Sequence, residues 1–456
     1  MPIERLEQVK DELDQVSPSF CLAKWYQVTL HLFNGNTQSC HHVKSHRVPL
    51  KEIAKSPASL HNSCRKMATR AKMLDGKFPS ECQYCWKIEK VGEYSDRIHK
   101  SAEDWARRQM PSVQTEGQVD VGPTVKPTYL EVAFSNFCNF KCLYCSPTYS
   151  TLWQKEILKH GAYPTSRRYG NLLFSQLNKT APLDEQTRAQ YVRAFWSWWP
   201  EVSPQLQHLR VTGGEPFLAA ETWLLMDELI RGPRPGLVLS INSNMSFTPQ
   251  LLARLLEKLS GLQGKVAKVV LHCSIDSTGL QAEYIRSGLR ESLFYDNIVR
   301  LLTESAMPLH ISFMITVNAL SLPGLKPLLA RILELRRDFP AHQIGFDTPY
   351  LKNPLHLSVL ILPSSFQKYL VQTLEFMNSV AGFSLEEIQR VERILSLMRS
   401  RHWVRVLNPI WRCDLMIVLR ESDRRRGTDH EKTFPEYREF FKSTRRLLVL
   451  DRSRLR

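Results

Sequence analysis

The chain is expected to be an α/β protein built on parallel strands, and three observations carry that expectation. From Tyr129 onward, short apolar runs alternate with longer amphipathic ones. The apolar positions of the longer runs recur with helical period, and polar residues fall where the short runs end. Strand–helix–strand units of this kind close by right-handed crossovers onto a parallel sheet. The expected strands are 129–134, 208–212, 237–241, 268–273, 310–317 and 343–346. Between them lie the expected helices Glu221–Arg231, Pro249–Leu262, Leu289–Glu304 and Pro323–Arg337. In the last, Leu325, Leu328, Leu329, Ile332 and Leu335 mark one buried face. Six such units suit either an open doubly wound sheet or a partial barrel.

The α/β segment, 128–350, is one of five expected regions. A polar leader with some helical character, 1–19, comes first, and a cysteine- and histidine-rich module follows over 20–100. Residues 101–127 read as a linker, since Gln114, Gly117, Gly122, Pro123 and Pro127 break any apolar period. Residues 351–456 read as mixed but mostly helical, with a basic surface densest at Arg424-Arg425-Arg426.

At 456 residues the chain can bury a large core, and 43% hydrophobic content is ordinary for a globular protein. The opening Met1–Glu7 is charged, and no apolar run is long enough to span a bilayer. A cytoplasmic protein with no membrane partner is therefore expected. In that reducing compartment the ten cysteines, some in Cys-x2-Cys spacing, point to metal rather than to disulfides. The formal net charge is +16, and residues 401–456 hold 15 Lys/Arg against 8 Asp/Glu. Nucleic acid is one partner such a charge suits; a solvated basic face is the other reading.

The first motif is Cys138-x3-Cys142-x2-Cys145, with Tyr144 before the last thiol. Three cysteines so close can hold three corners of a four-iron, four-sulfur cube, whereas an electron-transfer cluster normally takes four. The iron left open can bind a cofactor or substrate. A zinc knuckle lacking one ligand is the alternative, although zinc sites usually show two paired half-sites.

In parallel α/β folds chemistry gathers at the carboxyl ends of the strands. The cysteine loop leaves the first expected strand, and Gly213-Gly214-Glu215-Pro216 leaves the second. Asn242 and Asn244, then Ser274 and Asp276, then Asp347 follow later strands. Glycines permit close backbone approach to a ligand, and Glu215 can accept from an ammonium. Arg286, in Tyr284-Ile-Arg-Ser-Gly288, can pair with a carboxylate or form an ordinary salt bridge. Local backbone satisfaction is the competing role for Asn242, Asn244, Ser274 and Asp276.

The N-terminal module holds a second motif: Cys21-x13-Gly35-x4-Cys40, then Cys82-x2-Cys85. Four cysteines can ligate either a second cluster or a structural zinc. His41 and His42 beside Cys40 are possible substitutes for a thiolate. Cys64, Cys273 and Cys413 read as ordinary buried thiols. Trp196, Trp198 and Trp199 read as core or contact residues before base-stacking ones.

The three-cysteine motif resembles that of the radical S-adenosylmethionine (SAM) enzymes, and the Gly213–Pro216 loop resembles the one that contacts the SAM amino group there. Cys21, Cys40, Cys82 and Cys85 resemble the SPASM and Twitch auxiliary-cluster domains, four cysteines being the Twitch number. Leu60-His61-Asn62, Arg70, Met73–Gly76, Pro79, Trp86, Glu89, Ser95-Asp96-Arg97, Phe195–Glu201, Asp347–Tyr350 and Arg424–Thr428 extend the likeness. Together they are similar to Twitch-domain radical SAM proteins of bacteria and their phages, over about Phe20 to Phe441. In better-understood members the auxiliary domain follows the barrel, whereas here it precedes it.

The resemblance implies a partial (β/α)6 barrel of radical SAM type with an N-terminal auxiliary-cluster module. It implies a 4Fe-4S cluster on Cys138, Cys142 and Cys145 that chelates SAM, and a second 4Fe-4S cluster on Cys21, Cys40, Cys82 and Cys85. Tyr144, Gly213, Gly214, Glu215, Pro216, Asn242, Asn244, Ser274, Asp276 and Arg286 are the implied SAM contacts. The implied reaction is reductive cleavage of SAM to a 5′-deoxyadenosyl radical that takes hydrogen from a substrate. No side chain is implied as a general acid, base or nucleophile. The implied substrate is a peptide or protein, and the implied electron source an external one-electron reductant. Modification of tRNA or other nucleic acid is the alternative the charge suggests. A non-catalytic iron–sulfur or zinc protein that binds nucleic acid is the alternative outside enzymes.

Overall fold

The structure is a computed structural model that describes residues 3–110, 114–115, 118–119, 122–166, 183–400 and 408–454. Met1 and Pro2 of the expected leader, Gly117 of the linker and Arg401, Arg405 and Arg456 of the basic tail lie outside the described residues. No described helix is long and apolar enough to cross a membrane.

Nine strands form the main sheet: β1 (Gln27–His31), β2 (Asn36–Gln38), β3 (His46–Arg47), β4 (Tyr129–Ala133), β5 (His208–Thr212), β6 (Arg234–Ser243), β7 (Val266–Ser274), β8 (His310–Met314) and β9 (Gln343–Asp347). Their order is β9-β8-β7-β6-β5-β4-β1-β2-β3. The six expected strands are thus neighbours in chain order. β4–β5, β5–β6, β7–β8 and β8–β9 pair parallel. The expected helices are found at Ala220–Arg231, Pro249–Leu262, Glu291–Glu304 and Leu322–Asp338. All five apolar positions singled out in the last are buried.

By compactness the chain divides into two units: Met1–Ser135 with Pro182–Ile241 and Gly264–Val269, and Asn136–Ala181 with Asn242–Gln263 and Val270–Arg456. In the first unit β1 adds to the edge of β4 in parallel register, Gln27 opposite Tyr129 through His31 opposite Ala133. β2 and β3 continue antiparallel from it. This extension does not show in the sequence, because Val28 and Leu30 alternate with Gln27, Thr29 and His31 inside a cysteine- and histidine-rich stretch. The helix Ile3–Val16 is more than a polar leader. Leu6, Val9 and Leu13 line one face and join Phe20, Leu22, Trp25, Met73, Ile98 and Trp105 in one core. Burying each such aliphatic contributes roughly 1.5–3 kcal/mol, enough to hold the helix down.

Two arginines sit inside that unit because every donor has a target. Arg97 reaches Phe20 O at 2.9 Å, Asp14 Oδ1 at 3.0 Å and Glu89 Oε2 at 2.8 Å. Arg70 reaches Lys24 O at 3.0 Å and Asn62 Oδ1 at 2.7 Å. The helix Glu185–Val202 buries Trp198 and Trp199, while Trp196 is half-buried and stacks on Phe134, so packing accounts for the aromatic run.

The second unit holds the cysteine loop, the helix Thr151–His160 and, beyond β9, mostly helix: Gln367–Ser379, Leu385–Arg399, Asn408–Arg426 and Arg438–Arg454. Ser384 and Glu387 form a reciprocal capping box that starts Leu385–Arg399.

Candidate metal centres

The loop after β4 is held in shape by hydrogen bonds around each cysteine. The Cys138 N–H donates to Thr151 Oγ1 at 3.4 Å, and the Phe140 N–H donates to Cys138 Sγ at 3.4 Å. The Cys145 N–H donates to Cys142 O at 3.0 Å. Ser150 caps the next helix at the Trp153 N–H and donates its own hydroxyl to Phe140 O at 2.7 Å. Trp153 Nε1 in turn donates to Cys142 O at 2.8 Å. Lys141–Cys142 pairs antiparallel with Arg286–Ser287. Gly288 lets that ribbon lie close: at φ +114°, a Cβ there would sit 2.8 Å from Asn139 O.

Four of the expected SAM contacts bear on this loop in the same unit. Arg286 Nε lies 2.9 Å from Asp276 Oδ2, and its Nη2 donates to Asp276 Oδ1 at 3.0 Å. Tyr144 Oη donates to Asp276 Oδ2 at 2.7 Å, and the Thr316 N–H donates to Oδ1 at 2.8 Å. Arg286 Cζ stands 5.6 Å from the Tyr144 ring centroid, and Nη1 is 3.9 Å from Cys142 Sγ. Asn244 Nδ2 donates to Asn139 Oδ1 at 2.7 Å. Arg286 and Asp276 are therefore committed first to each other. Burial pushes the Cys142 thiol up against the pull of Arg286, and burial pushes Cys145 up to about 12. Thiols in that state give up protons when a metal binds.

Ser274 closes β7, and Asn242 is the penultimate residue of β6; both are half-buried. Asp347 closes β9 and caps the Thr348 N–H at 2.9 Å. In the first unit Gly213 follows β5 at φ +133°, where a Cβ would meet Ser135 O at 2.5 Å. The Gly214 N–H donates to that same carbonyl at 3.0 Å. Glu215 is buried and accepts from the Phe217 N–H at 3.3 Å, with Pro216 starting the short turn.

The four N-terminal cysteines come together although 64 positions separate the first from the last. Cys21, Cys40, Cys82 and Cys85 line one pocket of about 470 Å³, its open mouth included, with Lys24, Met73 and Trp86. Burial pushes Cys21 up, and the neighbouring Cys40, Cys85 and Cys82 push it further. Burial pushes Cys82 up to about 12 while the Lys24 ammonium opposes. Lys24 is itself buried and paired with Glu81. His42 Nε2 and His41 Nε2 lie 2.5 and 3.2 Å from Asp96 Oδ2 at the same pocket. Those two histidines hold the Asp96 carboxyl far below the usual carboxylate range.

Among the described residues, His41, His42 and Asp96 place three ligand atoms within 4.8 Å of one another. The seven cysteines of the two motifs form no disulfide.

Cys273 and Cys413 are buried as expected of packing thiols, but Cys64 is exposed. It begins the helix Cys64–Leu74, just after the capping Ser63, and it and Arg65 are exposed there. The basic run of the tail is largely used internally. Arg425 and Arg426 side chains are 2% and 4% exposed, and only Arg424 is open, at 58%. Sequence reasoning had no signal for Glu156 and Tyr163 and read Arg426 as part of a basic surface; the three meet behind the cysteine loop across 270 positions. No protein-family model and no curated protein matches the chain.

Proposed function

We propose that this chain is a radical SAM enzyme of Twitch type that acts on a peptide or protein, its parallel strands curved into a partial barrel. The observation that carries the reading is the loop after β4. Three partly buried cysteines that form no disulfide stand there, on backbone fixed by hydrogen bonds. The donor set fits: soft thiolates are the ligands of iron–sulfur clusters.

Cys138, Cys142 and Cys145 would hold a cluster with one open iron, and Cys21, Cys40, Cys82 and Cys85 a fully ligated one suited to electron relay. The chemistry supplied there, with SAM bound, is one-electron cleavage of SAM to a 5′-deoxyadenosyl radical. The protein's own groups bind and orient. Asp276 neutralises Arg286 and fixes the Tyr144 hydroxyl, so the aromatic beside Cys145 keeps one position. Asn244 restrains the Asn139 side chain between the first two cysteines. Gly213 and Gly214 admit the close approach of Ser135 O, and Glu215 is proposed as the carboxylate for the SAM ammonium. Asn242 and Ser274 are proposed for the remaining polar contacts of SAM. Nucleic-acid modification, and nucleic-acid binding without catalysis, draw less support, since Arg425 and Arg426 are spent on internal partners.

The test is anaerobic reconstitution with iron and sulfide, followed by dithionite and SAM. 5′-Deoxyadenosine is expected from the wild type and from none of Cys138→Ser, Cys142→Ser and Cys145→Ser. A wild-type protein that loads iron yet forms none would sink the proposal.

A further inference from the structure

Behind the three-cysteine loop lies a buried charge cluster built around Arg426. Glu156, on the helix Thr151–His160, is 4% exposed in its side chain and accepts from three residues. Lys141 Nζ reaches Oε2 at 2.6 Å and Tyr163 Oη reaches Oε1 at 2.7 Å. Arg426 reaches both oxygens at 3.2 Å. Arg426 ends the helix Asn408–Arg426, and its Nη1 also donates to Lys141 O at 3.1 Å. Its Cζ stands 5.0 Å from the ring of Trp153, whose Nε1 binds Cys142 O. The carbonyls on both sides of the Cys142 nitrogen and α-carbon are thus each tied to a buried donor. Burial pushes Glu156 up, and Arg426, Lys141 and Tyr163 overcome it, holding the carboxyl down at about 2. The cluster stays ionised at neutral pH.

We infer that Arg426 is a positioning residue for the three-cysteine centre, so that the helix Asn408–Arg426 completes a loop whose Lys141 lies 285 positions upstream. The geometry gives the physical reason. Arginine's planar fork can grip a carboxylate with two nitrogens while a third points elsewhere; a lysine cannot. The third donor goes to the peptide before Cys142, where a small shift would carry the sulfur with it. Misplacement by about 1 Å is known to cost on the order of a hundredfold in rate. This inference rests on the cluster reading of Cys138, Cys142 and Cys145.

The test uses the full chain, reconstituted anaerobically, as wild type, Arg426→Lys and Arg426→Gln. Three quantities are read: the low-temperature electron paramagnetic resonance of the reduced protein with and without SAM, iron per chain, and the melting temperature. A SAM-dependent change in the spectrum reports the open-iron centre alone. Arg426→Lys keeps the charge on Glu156 and is expected to fold with a melting temperature near wild type. It is expected to lose most of the SAM-dependent change and to form 5′-deoxyadenosine about tenfold more slowly. Arg426→Gln is expected to lose the signal altogether and about half its iron. If Arg426→Lys keeps the wild-type spectrum and rate, the positioning role is overturned, whatever Arg426→Gln does. If the wild type itself shows no SAM-dependent change, the cluster reading fails instead.

Discussion

Arg286 and Asp276 form a two-pronged ion pair inside the second unit, with contacts of 2.9 and 3.0 Å and both residues buried. The carboxylate also takes the Tyr144 hydroxyl and the Thr316 N–H, so its two oxygens accept three hydrogen bonds, the third from Arg286 Nη2. Either residue alone is costly to bury; together their charges cancel.

Asp276→Asn should therefore destabilise the protein by about 3–5 kcal/mol, because it strands a buried guanidinium. The double variant Asp276→Leu/Arg286→Met should recover most of that loss. Urea unfolding of the three proteins decides it: equal stability of Asp276→Asn and wild type would show that the pair contributes nothing.

At the N-terminal pocket, Cys21→Ser or Cys85→Ser should cut bound iron and acid-labile sulfide by about half in anaerobically prepared protein. Cleavage of SAM should largely persist, since the three-cysteine loop is intact. Elemental analysis checks the assignment. Stoichiometric zinc in the wild type, with iron unchanged in the variants, would mean that these thiols close on a single ion after all.

Acid should weaken the fold through buried imidazoles. Burial pushes His208 down to about 4, its ring stacked on Tyr129 and its Nε2 2.9 Å from Ser240 Oγ. Unfolded, the same ring takes a proton near pH 6.5. Below that the unfolded state binds a proton that the folded state does not, so stability falls between about pH 6.5 and pH 4. His208→Gln, which keeps a side-chain hydrogen-bonding group, should be less sensitive across that window by up to about 3 kcal/mol. Parallel pH profiles of urea-midpoint stability would refute this for His208.

Gly213→Ala should cost about 1–3 kcal/mol, combining φ +133° with a Cβ 2.5 Å from Ser135 O. Gly236→Ala is the control, since a Cβ there meets nothing within 4 Å. Thermal melts that shift equally in both would show that the Gly213 backbone relaxes freely.

Much of the scaffold was legible because parallel strands write themselves as short apolar runs and their helices as a 3.6 period. His208–Thr212 and Pro249–Leu262 fall at the expected bounds. β1 was not legible, because its two apolar residues sit between polar ones in a stretch whose cysteines and histidines dominate the reading. Spacing alone grouped the four N-terminal cysteines, which line one pocket. The partners of the charged residues were not: Arg286 and Asp276 each had the chemistry of a ligand contact, and only coordinates show them spent on one another. Arg426 and Glu156 pair over 270 positions, a distance at which sequence carries no register.

The parallel register of β1 on β4 bears on how this protein can be dissected. Residues 27–31 occupy the hydrogen-bonding edge of the strand that leads into the cysteine loop. Cutting away the first hundred residues would not free a self-sufficient remainder; it would bare a raw strand edge, a template for aggregation. Loss of solubility in such a truncation would report that edge rather than the missing cysteines, so the two ends of the chain are better separated by point substitution than by deletion.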